Sequence, residues 1–237
     1  MKFTTREHLR NFMGIMKKTL LTISIYFIII SLSNAQSHIG IKGGRSFSRV
    51  YFVPFKKQEF IQSNTAGIVF KHFSIPHFGI QLEINYLQKG WKEIIQNADS
   101  TYSRKLDYLE MPFLSHLYIG KGKTKAFLTI GPYIAYSLSG TEERNKNDIL
   151  TSNDYSFPDT TYRFNFGVMG GLGINYEFKF GTLQFEARFS QSLRNVFKPR
   201  DAISRDRDIA LSQMMTFSLS YFLPGKKNKE PELIIDD

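Results

Sequence analysis

The chain of 237 residues contains no cysteine. This absence excludes disulfide bonds, a thiolate nucleophile, cysteine-ligated metals and a lipoprotein anchor. Beyond residue 35 the sequence also lacks any apolar run of the ~20 residues that a membrane-spanning helix needs. The rest of the chain must therefore be held together by a hydrogen-bonded fold with no covalent crosslinks.

Acidic residues are fewer than basic ones, and the formal net charge is +10. Residues 1–35 hold five basic residues and one acidic residue, so the remaining chain carries +6. That excess is spread along the sequence, without a stripe of basic and aromatic residues on one face. Nucleic acid is therefore not a predicted partner.

The N-terminal segment has the features of a secretory signal peptide. Met16-Lys17-Lys18 precedes an apolar run, Leu20 to Leu32, and Ser33-Asn34-Ala35 supplies small residues before Gln36. We predict a signal peptide over 1–35, because the run is too short for a transmembrane anchor. Since residues 1–15 resemble neither a signal nor a fold, Met16 is an alternative start.

Alternation of apolar and polar residues is the main pattern in the rest of the chain. In 183–190, 78–86 and 215–221, apolar residues occupy every second position. Strand geometry sends such alternating residues to opposite faces of a sheet, and no helical period fits these runs. Eight strands are predicted in this way. They are 38–47, 64–73, 78–90, 105–119, 126–138, 162–178, 183–192 and 211–223.

The connections between these strands alternate in length. Long ones are predicted at 48–63, 92–104, 139–161 and 193–210, and short ones at 74–77, 120–125 and 179–182. Long loops on one side and tight turns on the other are typical of bacterial outer-membrane β-barrels. We therefore predict an all-β fold, an eight-stranded antiparallel transmembrane β-barrel with up-and-down topology over 36–223. A short charged periplasmic tail, 224–237, follows, with the termini periplasmic and the long loops extracellular.

A soluble periplasmic ligand-binding barrel of the lipocalin kind would show the same alternation with the faces reversed. The polar face here holds mainly small or neutral residues, such as Gly171, Asn175, Gln81 and Ser218. Such residues suit the narrow inside of a small barrel, so outer-membrane lipid is the predicted surrounding. Carbonate washing would release the soluble alternative from membranes.

Two prolines, Pro112 and Pro132, fall inside predicted strands. Each removes a hydrogen-bond donor from the ladder, and a closed barrel has no free edge to accommodate the loss. We expect a β-bulge at each.

Three segments resemble the PorT-like outer-membrane β-barrel family of Bacteroidetes-type bacteria: 39–44 (IGIKGG), 108–114 (YLEMPFL) and 166–173 (FGVMGGLG). The resemblance covers 36 to about 223 and implies an eight-stranded, porin-like outer-membrane barrel of the Gram-negative cell envelope. The family's namesake takes part in protein secretion, which implies envelope or secretion proteins as partners. No functional residues come with the family. Because Pro224 to Asp237 follow the last strand, the assembly signal is expected at 217–222.

The predicted strand phases place charged side chains inside the barrel. They are Lys42, Lys71, Glu83, Glu110, His116, Glu177, Glu186 and Arg188. One interpretation is a proton or ion path formed by Glu83, Glu110 and Glu186 with Arg188. The favoured one is a network of paired charges that fills the lumen, since buried charges persist only when paired.

No catalytic, cofactor or metal site is predicted. A lipid-modifying enzyme would need a histidine, a serine and a carboxylate near the extracellular rim. His38, His72, His77 and His116 are all placed toward the periplasmic side, although loss of activity on mutating His38 or His116 would support such an enzyme. His72 and His77 alone are a weak metal signal.

The predicted function is a non-catalytic structural, binding or secretion-accessory component that acts through its extracellular loops. Five aromatic loop residues are candidate partner contacts. They are Phe52, Tyr155, Phe157, Tyr162 and Phe197. Deleting 142–158 is expected to abolish partner binding.

The signal peptide predicts that the mature protein in the membrane fraction begins at Gln36. Intact-mass measurement of the purified protein checks this. A mature chain that retains residues 16–35 would show that the apolar run is an anchor.

Overall fold

A computed structural model describes residues 36–53, 57–75, 77–95, 100–120, 122–146, 149–157, 161–197 and 209–224. The predicted signal peptide and all but the first residue of the predicted tail lie outside these residues. Within them, no helix has the length and apolar character needed to cross a membrane.

Ten strands make up the described structure. They are β1 (Gln36–Val53), β2 (Gln58–Glu59), β3 (Ile61–Ile75), β4 (Phe78–Ile95), β5 (Ser100–Ile119), β6 (Thr124–Lys146), β7 (Ile149–Asp154), β8 (Phe164–Phe178), β9 (Gly181–Ser192) and β10 (Ile209–Phe222).

Eight of these strands pair into a ring. Each pairs antiparallel with its neighbours in the order β1, β3, β4, β5, β6, β8, β9 and β10, and β10 returns to β1 from Gly40↔Phe222 to Val53↔Ile209. The two short strands lie outside the ring, β2 on β4 and β7 on β6. The prediction of an all-β, eight-stranded antiparallel barrel is confirmed.

The two ends of the ring differ. Three tight connections, between β3 and β4, β5 and β6, and β8 and β9, lie at one end, which we call the turn end. Positive φ angles at Gly120 (119°) and Gly122 (82°) permit the tight β5–β6 turn. Both chain termini of the ring lie at the turn end, and the longer connections lie at the opposite loop end.

The faces of the barrel are inverted relative to a water-soluble protein. Large apolar side chains such as Ile41, Leu172 and Leu219 are exposed on the outside, whereas Gln81 and Ser218 are buried on the inside. An apolar outer surface suits hydrocarbon, and a small-barrel interior has room only for side chains. This arrangement contradicts the alternative of a soluble lipocalin-like carrier.

Hydrogen-bonded polar rows border the apolar outer surface at the loop end. On one side, Gln88 donates to Asp107 (2.7 Å), which also accepts from Ser139. On the other, Arg49 Nε donates to Gln213 (2.9 Å) and Gln213 donates to Gln191 (2.8 Å). These rows mark the loop-end edge of the apolar band.

Three predicted loops are largely strand. In 48–63, β1 continues to Val53, β2 covers Gln58–Glu59 and β3 starts at Ile61. β4 continues to Ile95, β5 starts at Ser100, and β6 runs to Lys146 before turning back as β7. Beyond the apolar band neither face of these strands contacts hydrocarbon. The backbone hydrogen bonds of the sheet therefore continue there, although apolar and polar residues no longer alternate in the sequence. Polar composition therefore led to a wrong prediction of loops at 92–104 and in much of 48–63 and 139–161.

The predicted bulges at the two prolines are also wrong. Ladder pairing is interrupted beside Pro112 and Pro132, but the register is the same on both sides of each interruption. The prolines remove donors without inserting a residue. The register shift in this part of the sheet lies between Asp107 and Tyr108 instead.

A closed ring of this kind predicts heat-dependent mobility in detergent gels, because no edge strand is available from which unfolding can begin. The unboiled protein is expected to migrate differently from the boiled protein. Identical mobility in both samples, with recovery from the soluble fraction, would contradict the membrane barrel.

Candidate functional site

The middle of the barrel interior is a network of four charged side chains, Lys42, Glu83, Glu186 and Arg188. Arg188 Nη2 lies 2.7 Å from Glu83 Oε1 and 2.8 Å from Glu186 Oε2. Lys42 Nζ lies 3.2 Å from Glu83 and 3.3 Å from Glu186. Two cations thus balance two carboxylates, and the four residues belong to three strands, β1, β4 and β9. We call this set the central network.

Neutral side chains complete the hydrogen bonding of the central network. Thr129 Oγ1 donates to Glu186 (2.8 Å), Asn85 Nδ2 donates to Glu83 (2.7 Å), and Gln81 also donates to Glu83. Both carboxylates are fully enclosed. A buried pair is stable only when its remaining hydrogen-bonding positions are satisfied, and the central network meets that condition.

A second ion pair lies nearer the loop end. Lys89 Nζ is 2.5 Å from Glu110 Oε2, and the same ammonium lies 4.6 Å from the centroid of the Tyr133 ring and 5.6 Å from that of Tyr108. Leu87, Leu106, Met169 and Met214 belong to the apolar cluster around these rings. This pair and its aromatic neighbours fill the lumen beyond the central network.

At the turn end the lumen is filled mainly by aromatic rings. Lys71 Nζ lies 4.2 Å from the centroid of Phe222 and hydrogen-bonds to Gln184 and Tyr118. His116 stacks on Phe127 with 4.6 Å between ring centroids, and its Nδ1 is bonded to Gln81. Among the described residues Lys71 has no carboxylate partner, so ring faces and neutral oxygens solvate its ammonium.

The loop end of the lumen is filled by a cap, which consists of Arg104, Trp91, Phe52, Phe197 and Tyr155. The Arg104 guanidinium lies 4.1 Å from the Tyr155 ring centroid and 5.1 Å from that of Trp91. Phe52 and Phe197 pack on Trp91 with centroid separations of 5.8 and 6.0 Å. The cap joins side chains of separate strands and connections into one apolar layer around a single cation.

Hydrogen bonds fix the guanidinium of the cap. Arg104 donates to Tyr102 (2.8 Å), Tyr155 (3.1 Å) and Glu142 (2.5 Å). Burial raises the pKa of the Tyr102 hydroxyl, and its hydrogen bond to Glu142 acts in the same direction. Tyr102 therefore remains a neutral donor in the cap at physiological pH.

The structure brings most of the predicted lumen residues into two groups. Lys42, Glu83, Glu186 and Arg188 form the central network. Glu110 pairs with Lys89, a lumen residue that was not predicted, and Lys71 belongs to neither group. Glu177 is a correction. It lies next to the last residue of β8 and pairs with Lys125 at the exposed turn end (2.7 Å), because the lumen stops short of it.

The aromatic loop candidates are mostly turned inward. Phe52 and Tyr155 are only 8% exposed, and Phe157 and Phe197 are partly buried against the apolar clusters of the lumen. Tyr162 is half-buried, with the Arg194 guanidinium 3.9 Å from its ring centroid. These side chains fill the loop end and present little area to a partner.

The hairpin formed by β6 and β7 offers apolar surface instead. Ile149 and Leu150 in β7 are 71% and 65% exposed. β7 pairs with β6 along one edge from Thr141↔Asp154 to Lys146↔Ile149. These residues lie in a stretch that was predicted to be a solvated loop, and nothing in the sequence indicates an ordered, apolar hairpin there.

The four histidines of the described residues, at positions 38, 72, 77 and 116, lie on strands or in a turn at the turn end. His116 is enclosed by Phe73, Tyr118 and Phe127. Within the described ranges, no three side chains of the metal-binding types come together.

Residues 33–198 match the family described as outer membrane protein beta-barrel domain. No curated protein matches the chain. Among solved structures, OprG from Pseudomonas aeruginosa is 11% identical, with a TM-score of 0.47 over 80% of this chain and 96% of that one. Ail of Yersinia pestis is 10% identical, with a TM-score of 0.40 over 79% and 99%. CarO of Acinetobacter baumannii is 10% identical, with a TM-score of 0.38 over 76% and 96%.

Replacing Arg188 with methionine is expected to lower the free energy of unfolding by about 3–5 kcal/mol, since two buried carboxylates would then share one ammonium. Urea unfolding followed by gel mobility measures the change. Lys125→Met, which breaks the exposed pair with Glu177, is the matched control and should cost less than about 1 kcal/mol. Equal losses in the two variants would show that the central network carries no special stability.

Proposed function

The chain belongs to the outer membrane protein β-barrel domain family and is located in the outer membrane, and from this premise we propose that it is a non-catalytic component of the cell envelope. It acts by holding a protein partner at its loop end. The observation that supports this proposal is the filled interior. Because side chains fill the lumen, the outer surface of the loop end is the surface that we propose to bind the partner.

The filled lumen supports a role other than transport. Aromatic rings occupy the turn end, the central network and the Lys89–Glu110 pair follow, and the cap occupies the loop end. An eight-stranded barrel has an interior just wide enough for side chains. Conduction would require breaking paired, fully enclosed charges, which is costly.

The β6–β7 hairpin supports a binding role. Its Ile149 and Leu150 expose apolar area beyond the apolar band, where lipid does not cover them. Apolar side chains on an ordered scaffold favour protein contact because little conformational entropy is lost on docking. The hairpin thus replaces the inward-facing loop aromatics as the proposed contact surface.

The orientation and the family subgroup belong to the same proposal. A signal peptide over 1–35 would export the chain, leaving the turn end and the tail at 224–237 in the periplasm and the loop end outside the cell. The YLEMP segment at 108–112 supports a PorT-like subgroup, and with it a secretion-accessory role.

A single cysteine introduced by Leu150→Cys in this cysteine-free chain tests the proposal. With a thiol-linked photocrosslinker on intact cells, it is expected to capture one defined envelope protein, and adding Ile149→Asp should abolish that capture. Lys123→Cys at the turn end is the control and should not react with an impermeant reagent. Labelling of Lys123→Cys from outside, or capture that survives Ile149→Asp, would contradict the proposal.

A further inference from the structure

Two neighbouring rows of outward side chains run across β1, β10 and β9 at the loop-end edge of the apolar band. The upper row is Arg49, Gln213 and Gln191, and the lower row is Phe47, Met215 and Phe189. The register places each lower residue two positions from an upper one, about 7 Å along its strand. A polar row with one cation therefore lies directly above an apolar row.

A groove of about 330 Å³ follows these rows. Phe47, Phe60, Phe189 and Met215 provide its apolar walls, and Arg49 and Gln213 form its polar edge. The volume lies within the range of small-molecule sites. The apolar walls continue toward the turn end through the outward Phe217 and Leu219.

The cation at the edge is held but not neutralised. Arg49 Nε donates to Gln213, and the guanidinium carbon lies 5.2 Å from the Phe60 ring centroid. In the part of the chain that the structure describes, no carboxylate pairs with Arg49. Its Nη groups are geometrically suited to a bidentate anion, because the planar guanidinium matches phosphate oxygens.

We propose that this groove binds an anionic membrane lipid, with the head-group phosphate on Arg49 and one acyl chain along Phe47, Met215 and Phe189. The Gln213 and Gln191 amides lie in the same row and fix the position of the guanidinium. Arg45, two outward positions nearer the turn end on β1, adds a second exposed cation on the same face.

The position of the groove selects a lipid over a soluble anion. The groove opens on the band that faces hydrocarbon, and its polar edge coincides with the border where lipid head groups lie. A free anion would contact the guanidinium but not the apolar walls. An uncharged lipid would contact the apolar walls but would not pair with the guanidinium. The inference depends on the outer-membrane location and not on the proposed partner at the loop end.

Native mass spectrometry of the detergent-purified protein tests the site, with dioleoyl-phosphatidylglycerol as the anionic probe and dioleoyl-phosphatidylcholine as the zwitterionic one. The unmodified protein is expected to retain one phosphatidylglycerol at concentrations where phosphatidylcholine is lost. Arg49→Gln should weaken phosphatidylglycerol binding about ten-fold, as expected for loss of charge-assisted hydrogen bonds. Arg49→Lys keeps the charge but not the planar guanidinium with its paired donors, and it should give a smaller loss of phosphatidylglycerol binding.

Arg144→Gln is the matched control, because Arg144 is a loop-end arginine that lies beyond the apolar band on β6. Heat-dependent gel mobility confirms that each variant is folded. Equal weakening by Arg49→Gln and Arg144→Gln would overturn the site in favour of diffuse charge attraction. Displacement of the lipid by millimolar inorganic phosphate would reassign it to a free anion, and a protein dimer in place of the lipid adduct would reassign the groove to a second copy.

Discussion

Backbone hydrogen bonding in hydrocarbon is the constraint on which the rest of this structure depends. Each N–H and C=O at membrane depth needs a partner within the protein, since lipid offers none. The pairing of β10 with β1 meets that need by closing the ring. Closure at eight strands fixes a narrow interior, and a narrow interior must be filled with side chains. The filled lumen follows from the closure, and the apolar exterior follows from the hydrocarbon around the ring.

Charges inside such a ring need partners at close range, and the structure separates them into groups. The central network is balanced by itself, and the Lys89–Glu110 pair is balanced by itself. Lys71 has a different environment, because its ammonium contacts the ring faces of Phe222 and Phe127. The interior therefore combines ion pairing with cation–aromatic contact, and each group lies at a different depth in the barrel.

The sequence was sufficient to predict the ring because alternation is strong wherever one face of a strand meets lipid. It placed Glu83, Glu186 and Arg188 on the inner face correctly for that reason. Alternation fails where both faces of a strand are polar, so the extension of β6 to Lys146 was missed. Glu177 lies at an inward-facing position of its strand but too close to the strand end to reach the lumen. Alternation along a strand shows which face a side chain is on and does not show how deep in the barrel it lies.

The inward packing of the loop aromatics also could not be predicted from the sequence. Aromatic residues in polar connections resemble contact residues, and only the tertiary structure shows that Tyr155 packs on Arg104 and that Phe52, on the inward phase of β1, packs on Trp91. This packing limits how these connections can vary at Tyr155 and Phe197, because both side chains help to fill the loop end of the lumen.

The cap also contains Trp91, the only tryptophan in the sequence. Its indole lies within 6 Å of the ring centroids of Phe52 and Phe197 and beside a guanidinium. Intrinsic indole emission of the whole protein therefore originates from one point at the loop end. A change in that emission therefore reports a change in the packing of the cap around Trp91.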